Sequence, residues 1–165
     1  MKYLKTFEYI GQRKQPLIVI DEKINDFKGK LTFYDGVKNV GYIVYQFKKG
    51  KLWTEWIELR GYKVGKDGEL YIDMLEVPKK YRRHGYALQM LNQLKDIAKE
   101  KGATVITTRP DYGMGYGEER DPSGHIDQLN LKAGYKYLFT QEEIEKTEQP
   151  GTMYFDLRNY NEKNN

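Results

Sequence analysis

Four positive charges fall within five residues at Lys79, Lys80, Arg82 and Arg83, and His84 and Gly85 follow directly. Side chains of this kind beside a glycine hold anions: the cations offset charge and the glycine lets backbone N–H groups come close. An apolar run, Leu70–Val77 (LYIDMLEV), leads into them, and a helical pattern starts at Gly85-Tyr86-Ala87. N–H groups at a helix start have no intrahelical acceptor, and the helix dipole adds partial positive charge there. Strand, basic turn and helix start together make a phosphate site. The run before the turn also carries two carboxylates, Asp73 and Glu76, which could take a proton. Alternation along a strand puts Tyr71, Asp73 and Leu75 on one face and Ile72, Met74 and Glu76 on the other.

The elements around this turn follow from periodicity. Ala87, Leu91, Leu94 and Ala98 recur at four, three and four, and Leu88, Met90 and Ile97 widen the stripe. That predicts a helix packed on a sheet, running to about Lys101 and stopped by Gly102. Lys95, Lys99 and Lys101 read as its solvated face. Ala103–Thr108 (ATVITT) predicts a strand parallel to 69–77, since a helix of this length makes a βαβ crossover. Upstream, Leu17–Ile20, Leu31–Tyr34, Val40–Phe47 and Leu52–Leu59 are rich in β-formers, and Asp35-Gly36, Lys49-Gly50 and Lys66-Asp67-Gly68 punctuate them. An antiparallel meander of 40–47, 52–59 and 69–77 is expected. Asp21–Lys28 predicts one or two helical turns with Ile24 and Phe27 inward. Downstream, His125–Lys132 predicts a short helix ended by Ala133-Gly134, and Tyr135–Thr140 and Thr152–Leu157 predict strands.

Composition limits the chemistry. The chain of 165 residues has no cysteine, so a disulfide framework and a thiolate metal site are excluded, and its two histidines, His84 and His125, are too few for a convincing zinc site unless carboxylates complete it. Residues 1–102 carry 21 Lys/Arg against 13 Asp/Glu, and residues 103–165 carry 7 against 11. The basic half suits a phosphate compound as well as nucleic acid. No run nears the roughly 18 apolar residues of a membrane span, and Met1-Lys2-Tyr3 has no apolar run behind it. A cytoplasmic protein of one domain, residues 1–165, is expected. Gly113-Met114-Gly115-Tyr116-Gly117 has the wrong spacing for a dinucleotide fingerprint and reads as a flap, with Tyr112, Tyr116 and Arg120 as contacts.

Val77–Ala87 (VPKKYRRHGYA) resembles the acetyl-CoA-binding motif of the GNAT N-acetyltransferase superfamily, Gln/Arg-x-x-Gly-x-Gly/Ala, with Arg82, Gly85 and Ala87 at its fixed positions. Leu129–Tyr135 (LNLKAGY) is similar to the family's later Leu-Tyr-x-Lys-x-Gly-Phe segment, and Thr152–Leu157 to its last strand. The resemblance spans about 40–158. It implies an α/β domain with a mixed sheet whose parallel pair, 69–77 and 103–108, splays around coenzyme A. It implies that the N–H groups of Arg83, His84, Gly85, Tyr86 and Ala87 hold the pyrophosphate, that Lys79, Lys80, Arg82 and Arg83 offset its charge, and that the pantetheine arm runs along Leu75–Val77. The Leu75 N–H would meet the thioester carbonyl.

The implied reaction is transfer of the acetyl group from acetyl-CoA to an amine, on a small molecule or a protein, by direct attack on the thioester, with no metal. Asp73 is the favoured base; Glu55 and Glu58 and His125 are further candidates. In many relatives a Tyr of the later segment is the acid; Asn130 stands there, and Tyr86, Tyr135 and Tyr137 are near in sequence but out of register. The usual helix pair on the acceptor side is expected to be missing or reduced to Asp21–Lys28. The Glu-rich stretch 141–149, with Glu118, Glu119 and Asp121, would draw a cationic amine. A homodimer is compatible with all of this, whereas membrane binding is not expected and nucleic acid is disfavoured. The rival reading is a non-catalytic module of the same fold that binds a protein or nucleic-acid partner. Asn130 favours it, and the intact pyrophosphate turn opposes it.

Overall fold

The computed structural model describes residues 2–3, 15–48, 68–109, 125–140, 142 and 152–161. Its strands are β1 (Lys2–Tyr3), β2 (Ile18–Lys23), β3 (Lys28–Asp35), β4 (Lys38–Lys48), β5 (Glu69–Glu76), β6 (Val105–Thr108), β7 (Lys136–Tyr137) and β8 (Met153–Asp156). Two helices of the described residues matter here, α1 (Tyr86–Glu100) and α2 (His125–Lys132). The strands form one sheet in the order β1-β2-β3-β4-β5-β6-β8-β7. Every pairing is antiparallel except β5 with β6, which is parallel as the βαβ pattern predicts.

Two expectations change. Asp21–Lys28 is not helical: Asp21–Lys23 extends β2, and a turn at Ile24–Phe27 leads into β3. The Asn25 carboxamide oxygen accepts the N–H groups of Phe27 and Lys28, both at 2.9 Å, so local side-chain bonds replace the helical ladder. Ile24 and Phe27 point outward, 54% and 56% exposed. The meander is also different. β4 pairs directly with β5, from Tyr42 opposite Glu76 to Lys48 opposite Glu69, and its other edge belongs to β3. The expected middle strand, 52–59, lies outside the described residues, as do Glu55 and Glu58, the glycine run 113–117 with its contacts Tyr112, Tyr116 and Arg120, the acidic residues Glu118, Glu119 and Asp121, and all of 141–149 except Glu142. Within 15–48 the described elements are the strands β2, β3 and β4, with no helix among them.

Opposed residues in a ladder share a face. One face of the sheet therefore carries Leu31, Phe33, Ile43, Tyr45, Leu70, Ile72 and Ile106, all buried. Against it lie Met90, Leu91, Leu94, Ile97 and Ala98 of α1, the stripe predicted from its spacing. The helix ends where Gly102 takes φ 84 and donates to Lys99 O at 3.0 Å. Gln93 fixes the start of β2 to the helix: its amide donates to Leu17 O at 3.0 Å and accepts Leu17 N–H at 3.1 Å.

Lys95 and Lys101 correct a further expectation, whereas Lys99 is exposed as expected. Lys95 is 5% exposed, with its ammonium 4.3 Å from the centre of the Phe155 ring and 3.0 Å from Asn92 Oδ1. Burial lowers its pKa to about 8. Lys101 is ion-paired with Asp21 at 2.6 Å, and Asp21 also accepts the Tyr45 hydroxyl at 2.9 Å. Lys99 donates to the carbonyl of Tyr160. Long lysine stems can cover apolar surface while their ends find partners, so the chain's C-terminal residues and β2 recruit this face of the helix.

Candidate functional site

The parallel pair β5–β6 stops early. Glu69 to Ile72 pair with Val105 to Thr108, where β6 ends, and β5 runs on through Asp73–Glu76. This edge of four residues has no strand beside it among the described residues. Two residues later Pro78 opens a 3₁₀ turn, Lys79–Tyr81, in which Tyr81 N–H donates to Pro78 O at 2.8 Å. Arg82 is extended, with φ −66 and ψ 154, and its Nε donates back to Val77 O at 2.9 Å. The guanidinium thus ties the turn to the end of the strand. Arg83 has φ 63, a left-handed conformation that costs a non-glycine residue about 1–2 kcal/mol. Gly85, with φ 81, is the N-cap of α1 and takes that conformation freely.

The helix start is open. The first intrahelical bond closes from Gln89 N–H to Gly85 O at 3.1 Å, so the N–H groups ahead of it have no intrahelical acceptor. No side chain caps the helix, and its first turn holds no acidic residue. Lys79, Lys80, Arg82, Arg83 and His84 are all exposed around it. The Tyr86 hydroxyl donates to Asp35 Oδ2 at 2.6 Å, linking the helix start to the β3–β4 hairpin, and this bond raises the Tyr86 pKa. The arrangement is a cationic shelf with unpaired N–H groups beside an unpaired strand edge. It can seat a diphosphate at the helix start and an amide-bearing arm along β5.

Alternation fails in β5 because the strand is bulged. Val44 pairs with Met74 and Tyr45 with Ile72, so Asp73 is an extra residue. Beyond it, Leu75 lies opposite the buried Ile43, on the α1 face with Ile72. Tyr71, Met74 and Glu76 are opposite Gln46, Val44 and Tyr42 and share the other face. The expected grouping of Tyr71, Asp73 and Leu75 is therefore corrected. Asp73 meets Lys28 Nζ at 2.8 Å, reaching across β4. Leu75 and Val77 stand at the unpaired end, within one turn of the basic stretch.

Asn130 lies in α2, 4% exposed, and its carbonyl accepts Tyr135 N–H at 2.9 Å as the helix closes. The nearby tyrosines have other duties. Tyr135 is 2% exposed and burial pushes its phenol well above the usual range. Tyr137 donates its hydroxyl to Asp127, and Tyr86 to Asp35. His84 is exposed, its ring 6.2 Å from that of Tyr86. His125 opens α2. Among the described residues no group of three or more His, Cys, Asp or Glu could hold a metal, and no helix is long and apolar enough to cross a membrane. The bonds Tyr86–Asp35, Arg82–Val77 and Tyr42–Glu76 escaped the sequence reading, for each joins a residue to one in another element or across a turn. Only the Asp35-Gly36 turn signal hinted at the first.

Comparison with known proteins gives a consistent result. Residues 3–115 match the model of a family described as "Acetyltransferase (GNAT) family". That match takes in 3–39, which the motif-based resemblance had left aside, and stops before Leu129–Tyr135. A Bacillus subtilis acetyltransferase solved in complex with CoA is similar in fold, with 14% identity, 79% of this chain and 78% of that one covered, and a TM-score of 0.52. Nourseothricin acetyltransferase gives 14% identity, 80% and 66% coverage and 0.51. The Escherichia coli ribosomal-protein-S18-alanine N-acetyltransferase gives 13%, 84% and 74%, and 0.50. No curated protein matches the chain by sequence.

Proposed function

Because this chain belongs to the GNAT acetyltransferase family, we propose that it transfers the acetyl group of acetyl-CoA to an amine. The observation that carries this reading is the unpaired end of β5 running straight into a glycine-capped, acid-free helix start. The N–H groups of Arg83 to Ala87 take the pyrophosphate oxygens, and Ala87 is small enough to let them close in. Lys79, Lys80 and Arg83 supply charge, and Arg82 divides its guanidinium between the phosphate and Val77 O. The pantetheine arm bonds along Leu75–Val77. The Leu75 N–H meets the thioester carbonyl and stabilises the oxyanion, an effect worth roughly 3 kcal/mol per donor.

The acceptor arrives as an ammonium and must lose a proton before it attacks. Asp73 is the base that the family pattern favours, but it would have to leave Lys28 to take that proton. Asn130 replaces the usual acid, so the thiolate takes its proton from the attacking nitrogen or from water. Acceptors on the solved relatives differ: one is named for nourseothricin and one for the alanine of ribosomal protein S18. We take the acceptor here to be a cationic primary amine, on a small molecule or a protein. Asn130 favours the second reading, a non-catalytic module of the same fold that binds a protein or nucleic-acid partner.

The chain's lack of cysteine makes the test clean, since a thiol reagent then reads only liberated coenzyme A. With acetyl-CoA and a panel of spermidine, kanamycin and a lysine-containing peptide, we expect amine-dependent thiol release from at least one. Acetyl-CoA binding without release from any moves the reading to the non-catalytic module, and absence of binding overturns both.

A further inference from the structure

The face of the sheet opposite α1 carries a second arrangement at the splayed end of β5. Three carboxylates project from this strand, and two are already committed. Glu69 is fully buried and accepts the Thr107 hydroxyl at 2.5 Å. Asp73 is ion-paired with Lys28 at 2.8 Å. Glu76 differs: it is exposed, its partner is the Tyr42 hydroxyl at 2.5 Å, and no described cation lies within ion-pairing distance. The same bond is the main reason that the Tyr42 phenol sits above its usual pKa. Tyr42 also touches the Met74 sulfur at 3.3 Å, and Met74 is 41% exposed. Lys30 lies over the Tyr42 ring, 4.6 Å from its centre, so that face of the ring is already occupied.

The bulge at Asp73 gives this trio its place. It turns Leu75 to the core face and sets Tyr71, Met74 and Glu76 together on the opposite one, where Met74 and Glu76 are exposed. The Glu76 carboxylate consequently stands one residue beyond Leu75, on the stretch that β6 leaves unpaired. A carboxylate and an exposed thioether that both meet one phenol hydroxyl match a protonated primary amine on an alkyl chain: charge for Glu76, methylenes for Met74.

We propose that Glu76, oriented by Tyr42 and walled by Met74, receives the acceptor ammonium and takes its first proton. The proposal rests on the acetyl-transfer reading above. In the reaction the ammonium gives one proton to the Glu76 carboxylate, and the neutral nitrogen forms its bond to the thioester carbon. The C–S bond then breaks, the nitrogen's second proton leaves with the thiolate, and the products are the amide, coenzyme A as thiol and protonated Glu76. Asp73 keeps its ion pair throughout.

The probe is n-butylammonium, titrated onto the coenzyme-A-saturated protein and followed by the Met74 methyl resonance, with butan-1-ol as the uncharged comparison. We expect a saturable shift with the amine and none with the alcohol. Glu76→Gln should weaken the amine at least about tenfold, and Tyr42→Phe should weaken it less. Asp26→Asn, a surface carboxylate on the β2–β3 hairpin, should change nothing. Equal affinity in Glu76→Gln, an equal response to the alcohol, or no saturable shift would overturn the proposal. Saturation by coenzyme A is checked first by the resonances of 83–87. Failure at that step strikes the acetyl-transfer reading, and the same amine titration on the unsaturated protein still judges Glu76 by itself.

Discussion

Gly85→Glu is expected to weaken coenzyme A binding by roughly a hundredfold or more, with the fold intact. Three effects act in one direction. A side chain at φ 81 costs about 1–2 kcal/mol unless the helix start moves. The new carboxylate occupies the place of the phosphate, where the open N–H groups and the dipole would hold it. Its charge also neutralises one of the surrounding cations. Gly85→Ala carries only the conformational part and should bind far better than Gly85→Glu. Calorimetric titration of coenzyme A onto the three proteins reads the series, and circular dichroism verifies the fold. Near-equal affinity in wild type and Gly85→Glu would place the pyrophosphate elsewhere.

The second large effect is on stability. Gly41 sits where β4, the end of β5 and α1 converge. A Cβ there would stand 2.4 Å from the Glu76 carbonyl oxygen and 3.1 Å from Met90 Sδ, and φ is +149. The thioether can yield, but the carbonyl belongs to the backbone. Gly41→Ala must therefore push the end of β5 away, and the expected loss is about 3 kcal/mol, or roughly 6–12 °C in Tm. Gly36, at φ +60 with nothing within 4 Å of a built Cβ, is the comparison. Gly36→Ala should lose about 1 kcal/mol, from conformation alone. Scanning calorimetry distinguishes them, and equal losses would mean that the close approach at Gly41 carries no weight. The displaced strand end includes Leu75–Val77, so coenzyme A affinity should fall with the Tm in Gly41→Ala and stay level in Gly36→Ala.

Much of this architecture is legible in the sequence because it depends on local spacing. The four-three-four recurrence of Ala87, Leu91, Leu94 and Ala98 gives α1 nearly to the residue, and Gly102 and Gly134 mark the ends of both helices. The parallel β5–β6 pair follows from the helix between them. Features that depend on partners are hidden. The bulge at Asp73 is a mismatch of register between β4 and β5, and no pattern within either strand announces it. Lys95 and Lys101 carry ordinary surface side chains, and only Phe155 and Asp21, far off in sequence, make their burial tolerable. The turn at Ile24–Phe27 was readable in principle. Asn25 heads an Asn-Asp pair, a turn signal, and its carboxamide closes the turn against the helical spacing of Ile24 and Phe27.

The candidate site divides in the same way. Its donor half, Arg82-x-x-Gly85-x-Ala87 after a strand, is a contiguous motif whose physics is backbone N–H groups at a helix start. Its proposed acceptor half is assembled from β3, β4 and β5 across two ladders, through Lys28–Asp73 and Tyr42–Glu76. Charge alone marks Asp73 and Glu76 as equals. Pairing separates them, since one carboxylate is neutralised and the other is presented.

We propose that coenzyme A lies with its pyrophosphate on the start of α1 and its pantetheine arm along the unpaired end of β5. Amide resonances followed while coenzyme A is added to the ¹⁵N-labelled protein test it most directly. One saturable transition is expected, shifting the N–H groups of 83–87 and of 75–77 together, with those of the β2–β3 hairpin unmoved. Absence of a saturable transition, or shifts that leave either of those segments unchanged, would contradict it.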